Sequence, residues 1–189
     1  MIMNKMRTLL LSALAVIAVC LTACAQTGKK QSMKESKVLV VYFSATGTTK
    51  AAAQRLANVT GGELYEIQPE QPYTDADLDW NDRQSRSSVE MNNPHLRPAV
   101  KGKKENIADY DVVFIGYPIW WNLAPTIVNM FIESHDLEGK SVIPFATSGG
   151  SSIGNSVSAL KKAYPGIRWK EGKLLNGADE KTIRGWVGK

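Results

Sequence analysis

Three stretches of the chain put hydroxyls, glycines or indoles where they could grip a small anionic, planar ligand. The first is Ser44-Ala45-Thr46-Gly47-Thr48-Thr49, in which five of six residues are hydroxylic or glycine. Gly47 permits a tight turn, and exposed N–H groups at the start of a following helix attract an anion. No lysine or arginine stands among these six, so the cradle is neutral. Its spacing is neither Gly-x-x-x-x-Gly-Lys-Ser/Thr nor Gly-x-Gly-x-x-Gly, which disfavours a P-loop and a dinucleotide fingerprint. Taken alone the stretch supports either an anion site or an ordinary helix cap.

The second stretch, Pro118-Ile119-Trp120-Trp121-Asn122, sets two adjacent indoles on a connection. Exposed indoles offer flat faces for stacking a ring, although both could instead cover a core edge, or one could do each. The third, Thr147-Ser148-Gly149-Gly150 continuing to Asn155, is rich in glycine and hydroxyls. It can bring backbone N–H groups close to a ring edge, or serve only as a surface turn. The two histidines make weak catalytic candidates. His95 lies in a long polar segment, and His135 closes a helix, where a positive charge suits the dipole. No acid–base catalytic residue is expected, nor a metal site.

The elements that position these stretches follow from hydrophobic patterning. Lys37–Phe43 and Asp111–Tyr117 are near-continuous apolar runs, as in strands buried on both faces of a parallel sheet. Glu63–Gln68, Ser141–Ala146 and a short piece within Trp169–Leu175 supply further strands, Pro144 being an awkward member of the fourth. Helical spacing runs over Thr49–Asn58, Pro125–Ser134, Ser152–Tyr164 and Asp179–Val187. This alternation predicts an α/β fold: a doubly wound, five-stranded parallel sheet with helices on both faces. In such a sheet the three loops all emerge at carboxyl ends, where ligands bind. Residues 69–109 are too long for a plain connection and suggest a lid or an excursion containing a helix over Arg83–Met91.

The first 23 residues do not belong to this fold. A basic start with Lys5 and Arg7 precedes an apolar run over Thr8–Val19, which is short for a membrane span and typical of a signal peptide. Leu21-Thr22-Ala23-Cys24 resembles a bacterial lipobox, which implies cleavage before Cys24 and lipidation of its thiol. The expected organisation is therefore a lipoprotein signal peptide at 1–23, a polar tether at 24–36 and one domain at 37–189. Cys24 would be the sole cysteine left, excluding a disulfide and a cysteine-ligated metal. The chain carries 23 basic and 18 acidic residues without a clustered basic stripe, so a nucleic-acid partner is not expected.

Ser44-x-Thr46-Gly47 with Thr48 and Thr49 after a hydrophobic strand resembles the phosphate loop of the flavodoxin family. Tyr117-Pro118-Ile119-Trp120-Trp121, the helix at Pro125 and Phe145-Ala146-Thr147-Ser148-Gly149-Gly150 are similar to flavodoxin-like proteins of anaerobic bacteria. So is the excursion with Arg83, Arg86, Glu90, Arg97 and Pro98. The resemblance implies FMN, with phosphate at residues 44–49, ring stacking at 118–122 and ring-edge hydrogen bonds at 147–150. Together with the lipobox reading of residues 21–24, this leads to the expectation of an FMN-dependent redox protein at the cell envelope, with a redox protein or a small acceptor such as a quinone as partner. A lipid-anchored binding module of the same fold without flavin is the alternative.

Two departures stand out. Soluble flavodoxin carriers are strongly acidic, whereas this chain is basic, at +5 overall and still +3 once Lys5 and Arg7 leave with the signal peptide. They also sandwich the ring between aromatics of both ring-binding loops, and the third loop here has none. One ring face is therefore expected to be open unless Tyr73, Trp80 or another residue of the excursion covers it.

Overall fold

The computed structural model describes residues 36–188. The signal peptide expected at 1–23, lipidation at Cys24 and the tether up to residue 35 lie outside the described residues.

Strand β1 (Val38–Tyr42) is followed by helix α1 (Thr48–Thr60), strand β2 (Glu63–Glu66) and helix α2 (Arg86–Asn92). Then come β3 (Val112–Pro118), α3 (Thr126–Ser134), β4 (Ser141–Thr147) and α4 (Gly154–Ala163). The chain closes with β5 (Arg168–Trp169), β6 (Lys173–Leu174) and α5 (Glu180–Val187). All strand pairs are parallel, in the order β2-β1-β3-β4-β5, with β6 also on β4. The order reverses between β1 and β3, and their carboxyl ends define the crevice where doubly wound sheets take ligands.

Alternation along the buried strands separates two cores. Leu39, Val41, Val113, Ile115 and Val142 face a core that includes Ile127, Phe131 and Leu160 from α3 and α4. Val40, Phe114 and Phe145 face the other, with Ala52, Ala53 and Leu56 of α1 and Ile183 of α5. Helices therefore cover both faces, as the apolar runs predict.

The fifth strand is not one piece. β5 and β6 each pair with β4, and residues 170–172 interrupt them opposite Pro144. Lys170 N–H donates to Val142 O at 2.8 Å and Leu175 N–H to Ala146 O at 2.9 Å. The even-numbered residues of β4 thus face this edge, and the N–H that Pro144 lacks would have pointed into the gap. That is why a proline is tolerated inside β4.

The excursion also differs in detail. Helix α2 begins at Arg86 rather than Arg83, because Ser85 is its N-cap and its Oγ accepts from Ser88 N–H at 3.3 Å. Residues before it are held in turns, with Gln84 N–H donating to Asp82 Oδ1 at 2.8 Å. A bridge between Pro69 and Val100 closes the base of the excursion.

Candidate functional site

At the carboxyl ends of β1 and β3 lies a cavity of about 430 Å³. Ser44, Ala45, Thr46 and Thr49 line it from the first loop, and Pro118, Ile119, Trp120 and Trp121 from the second. The opposite wall comes from the excursion, through Leu78, Trp80 and Ser87. None of these residues is an acid, a base, a histidine or a cysteine. The wall therefore offers hydroxyls, backbone N–H groups and flat apolar faces, and redox or acid–base chemistry in it must come from a bound group.

The first loop ends on Gly47, which caps α1 at φ 89° and provides no side-chain hydrogen bond to it. Gly47 N–H donates to Ser44 Oγ at 3.1 Å, and the Thr46 and Thr48 hydroxyls lie 3.4 Å apart. The first turn of α1 contains no acidic residue. Its leading N–H groups thus keep no side-chain acceptor, and the dipole end is open to an anion.

In the second loop, Trp120 and Leu123 exchange backbone hydrogen bonds at 3.0 and 2.9 Å, closing a two-residue turn on Trp121 and Asn122. Both central residues take positive φ, 47° and 64°. Hairpin turns of this geometry favour Asn or Gly, so an indole at Trp121 is backbone strain retained in the wall of a cavity. The two indoles divide. Trp120 packs inward, its ring 5.6 Å from Phe43 and 5.5 Å from Tyr73 in edge-on geometry. Trp121 stands 46% exposed at the turn.

The third loop reaches the same edge by direct bonds. Thr147 Oγ1 lies 2.7 Å from Thr49 Oγ1, both residues buried, and Thr147 O accepts from Ile119 N–H at 2.8 Å. Ser148 exchanges hydrogen bonds with the Asn176 side chain, at 3.0 Å to its N–H and 2.6 Å to its carbonyl. Its Oγ accepts from Gly150 and Ser151 N–H groups at 3.1 and 2.7 Å. Residues 147–150 are thus joined to the first two loops, but they do not line the cavity wall; nor do Gly47, Thr48 and Asn122.

A family model described as Flavodoxin matches residues 37–189. The chain belongs to the flavodoxin family. It is similar to a provisional flavoprotein from Bacteroides eggerthii DSM 20697, with 69% identity over 81% of this chain and 96% of that one, at a TM-score of 0.80. A second provisional flavoprotein, from Bacteroides uniformis ATCC 8492, is 57% identical over 82% and 99% of the two chains, again at 0.80. A flavoprotein from Lactobacillus acidophilus NCFM, solved in complex with FMN, shares the fold at 21% identity, with 80% and 99% coverage and a TM-score of 0.65. No curated protein matches the chain.

The excursion of this flavodoxin-family domain carries the wall residues that loop composition alone does not assign. Trp80 is an indole in a polar stretch, 72% exposed at the cavity rim, and that isolation is its only sequence signal. Of the arginines, Arg97 forms a two-pronged pair with Glu133, at 2.8 and 2.7 Å, and also caps Pro94 O and Leu96 O. Arg86 pairs with Glu90 at 2.7 Å. Both fasten the excursion, whereas Arg83 is exposed and away from the cavity wall.

His95 is exposed and outside the cavity wall. His135 is not a cation placed on a dipole. Its Nδ1 donates to Phe131 O at 2.7 Å and its Nε2 accepts from Lys104 N–H at 3.1 Å, the pattern of a neutral ring. Burial, the largest influence, holds its pKa below the ordinary value. Among the described residues no group of three or more histidines, cysteines or acids is placed to hold a metal ion.

Proposed function

We propose that the cavity holds FMN and that the chain is an FMN-dependent redox protein working at the cell envelope. One observation carries this reading: an uncapped helix N-terminus and a pair of indole-bearing walls share one cavity that contains no titratable side chain. The Lactobacillus protein of the same fold, in complex with FMN, supports it.

When bound, the isoalloxazine supplies the electron chemistry. The residues of the chain bind and enclose. Thr48, Thr49 and the following N–H groups at the start of α1 take the phosphate, helped by the hydroxyls of Ser44 and Thr46. Trp121 and Ile119 present an apolar face to the ring, and Leu78 and Trp80 shield it from the excursion side. Ser148 and Asn176 lock the third loop before a ligand arrives, so that backbone groups of residues 147–150 meet the ring edge with little reordering.

Trp80 stands at the mouth and gives a quinone or another small acceptor a flat surface to approach. A redox protein is the other candidate partner. Attachment to the membrane through lipid on Cys24 completes the proposal.

The test is a titration of the purified protein with FMN and with riboflavin, followed by flavin fluorescence. Tight FMN binding is expected. A triple variant Ser44→Ala, Thr46→Ala, Thr48→Ala should bind FMN about tenfold more weakly or worse while riboflavin affinity holds. A colourless protein that takes up neither ligand overturns the reading and leaves a flavin-free binding module.

A further inference from the structure

The two walls of the cavity come from segments far apart in sequence, and one cluster centred on a buried carboxylate joins them. Glu90, on α2, is only 4% exposed. Its carboxylate accepts from Tyr73 Oη at 2.5 Å and from Arg86 Nε at 2.7 Å. The Arg86 guanidinium lies over the Tyr73 ring, 4.0 Å from its centre, and donates through Nη1 to Gln71 O at 2.7 Å. Tyr73 in turn meets Trp120 edge-on at 5.5 Å. Trp120 belongs to one wall, and Ser87, next to Arg86 in α2 and three residues before Glu90, belongs to the other.

We propose that Arg86, Glu90 and Tyr73 form a positioning clasp that sets the gap between the Trp120 wall and the excursion wall, and so the width of the ring slot. The inference rests on the FMN reading of the cavity. The clasp touches no part of the ligand; it acts through Trp120 and Ser87. A largely buried ion pair such as this is a poor source of stability, because apolar side chains of similar volume often do as well. What the pair adds is direction. The guanidinium holds the carboxylate through Nε and the Gln71 carbonyl through Nη1, the carboxylate fixes the phenol, and the phenol ring fixes the indole. The guanidinium over the Tyr73 ring adds a cation–ring contact to the same stack.

The experiment separates this role from plain structural support. The double variant Arg86→Met, Glu90→Met removes the pair without leaving a lone buried charge, so it should still fold, its unfolding temperature lowered only by the acceptor that the Tyr73 hydroxyl loses. FMN and riboflavin should both bind about tenfold more weakly, since the slot and not the phosphate cradle is altered. The near-ultraviolet dichroism of Trp120 in the ligand-free protein, identified by its loss in Trp120→Phe, should weaken in parallel. Arg86→Lys, which keeps the charge but not the fork, should fall with the double variant. Unchanged affinity for both ligands and an unchanged Trp120 signal in the double variant would overturn the clasp. If that variant does not fold, Tyr73→Phe, which cuts only the link to Glu90, carries the same outcomes. A wild-type chain that binds neither flavin defeats the FMN reading instead, and the Trp120 signal then still decides whether the clasp exists.

Discussion

Thr49 and Thr147, 98 residues apart, bring their hydroxyl oxygens within 2.7 Å in a buried contact between the start of α1 and the end of β4. This one hydrogen bond ties the first loop to the third. Replacing Thr147 by Val keeps the shape but leaves the Thr49 hydroxyl buried without that partner, which should destabilise the fold by about 1–3 kcal/mol. The double variant Thr49→Val, Thr147→Val removes both groups and should recover most of the loss. Urea unfolding of the four proteins checks the cycle; additive losses would mean the pair is not coupled.

Gly116 lies beneath the Phe145 ring, its register partner on β4. A Cβ at Gly116 would stand 2.1 Å from Phe145 Cζ, a distance no relaxation of a few tenths of an ångström relieves. Gly116→Ala should therefore destabilise by about 3 kcal/mol or more, at the upper end of overpacking effects. Phe145→Leu withdraws the end of the ring. Combined with Gly116→Ala it should be more stable than the two single losses predict, by at least about 1 kcal/mol. Chemical denaturation measures that coupling, and strict additivity would contradict the close approach.

What the sequence discloses here follows from how local each signal is. β1 and β3 are legible because burial on both faces demands an unbroken apolar run, and Val38–Tyr42 and Val112–Pro118 supply one. The start of α1 is legible because Gly47 and its hydroxyl neighbours are adjacent in the chain. Of the excursion wall the sequence offers only Trp80, an indole in a polar stretch, and nothing for Leu78 or Ser87. Leu78, Trp80 and Ser87 reach the cavity only through contacts at long range, among them Arg97 with Glu133 and Tyr73 with Trp120. The split of β5 from β6 is hidden for a related reason: the residue opposite the gap, Pro144, sits in a different strand. The state of His135 depends on Lys104, 31 residues away, and no local pattern contains it.

His135 gives the fold a pH dependence of definite sign. Burial lowers its pKa from the ordinary value of 6.5, so the folded protein binds this proton less readily than the unfolded chain. Its contribution to stability is complete above about pH 6.5 and is lost as pH falls from there toward the depressed folded value. Protonation would also turn Nε2 from acceptor to donor and break the bond from Lys104 N–H. Between pH 7 and 5 the unfolding temperature should fall more steeply in the wild type than in His135→Gln, whose amide oxygen keeps the acceptor without titrating. Equal slopes in the two proteins would remove His135 as the cause.

Trp121 separates what the backbone prefers from what the site needs. With φ at 47° it occupies a left-handed conformation that Asn tolerates and most other residues resist. Trp121→Ala and Trp121→Asn both delete the indole, so their difference isolates the backbone. The Asn variant should be the more stable of the two, by about 0.5–1 kcal/mol, since Ala gains nothing from its side chain at positive φ. Flavin binding should not follow that order. If Trp121 stacks on the ring, both variants should lose affinity for FMN by a similar factor, about five- to tenfold, together with the quenching of flavin fluorescence. Stability ranked by conformation alongside binding ranked by the indole would show that the strain at this turn is kept for the ligand. Wild-type affinity and quenching in both variants would place the stacking face elsewhere on the wall, with Trp80 as the next indole to replace.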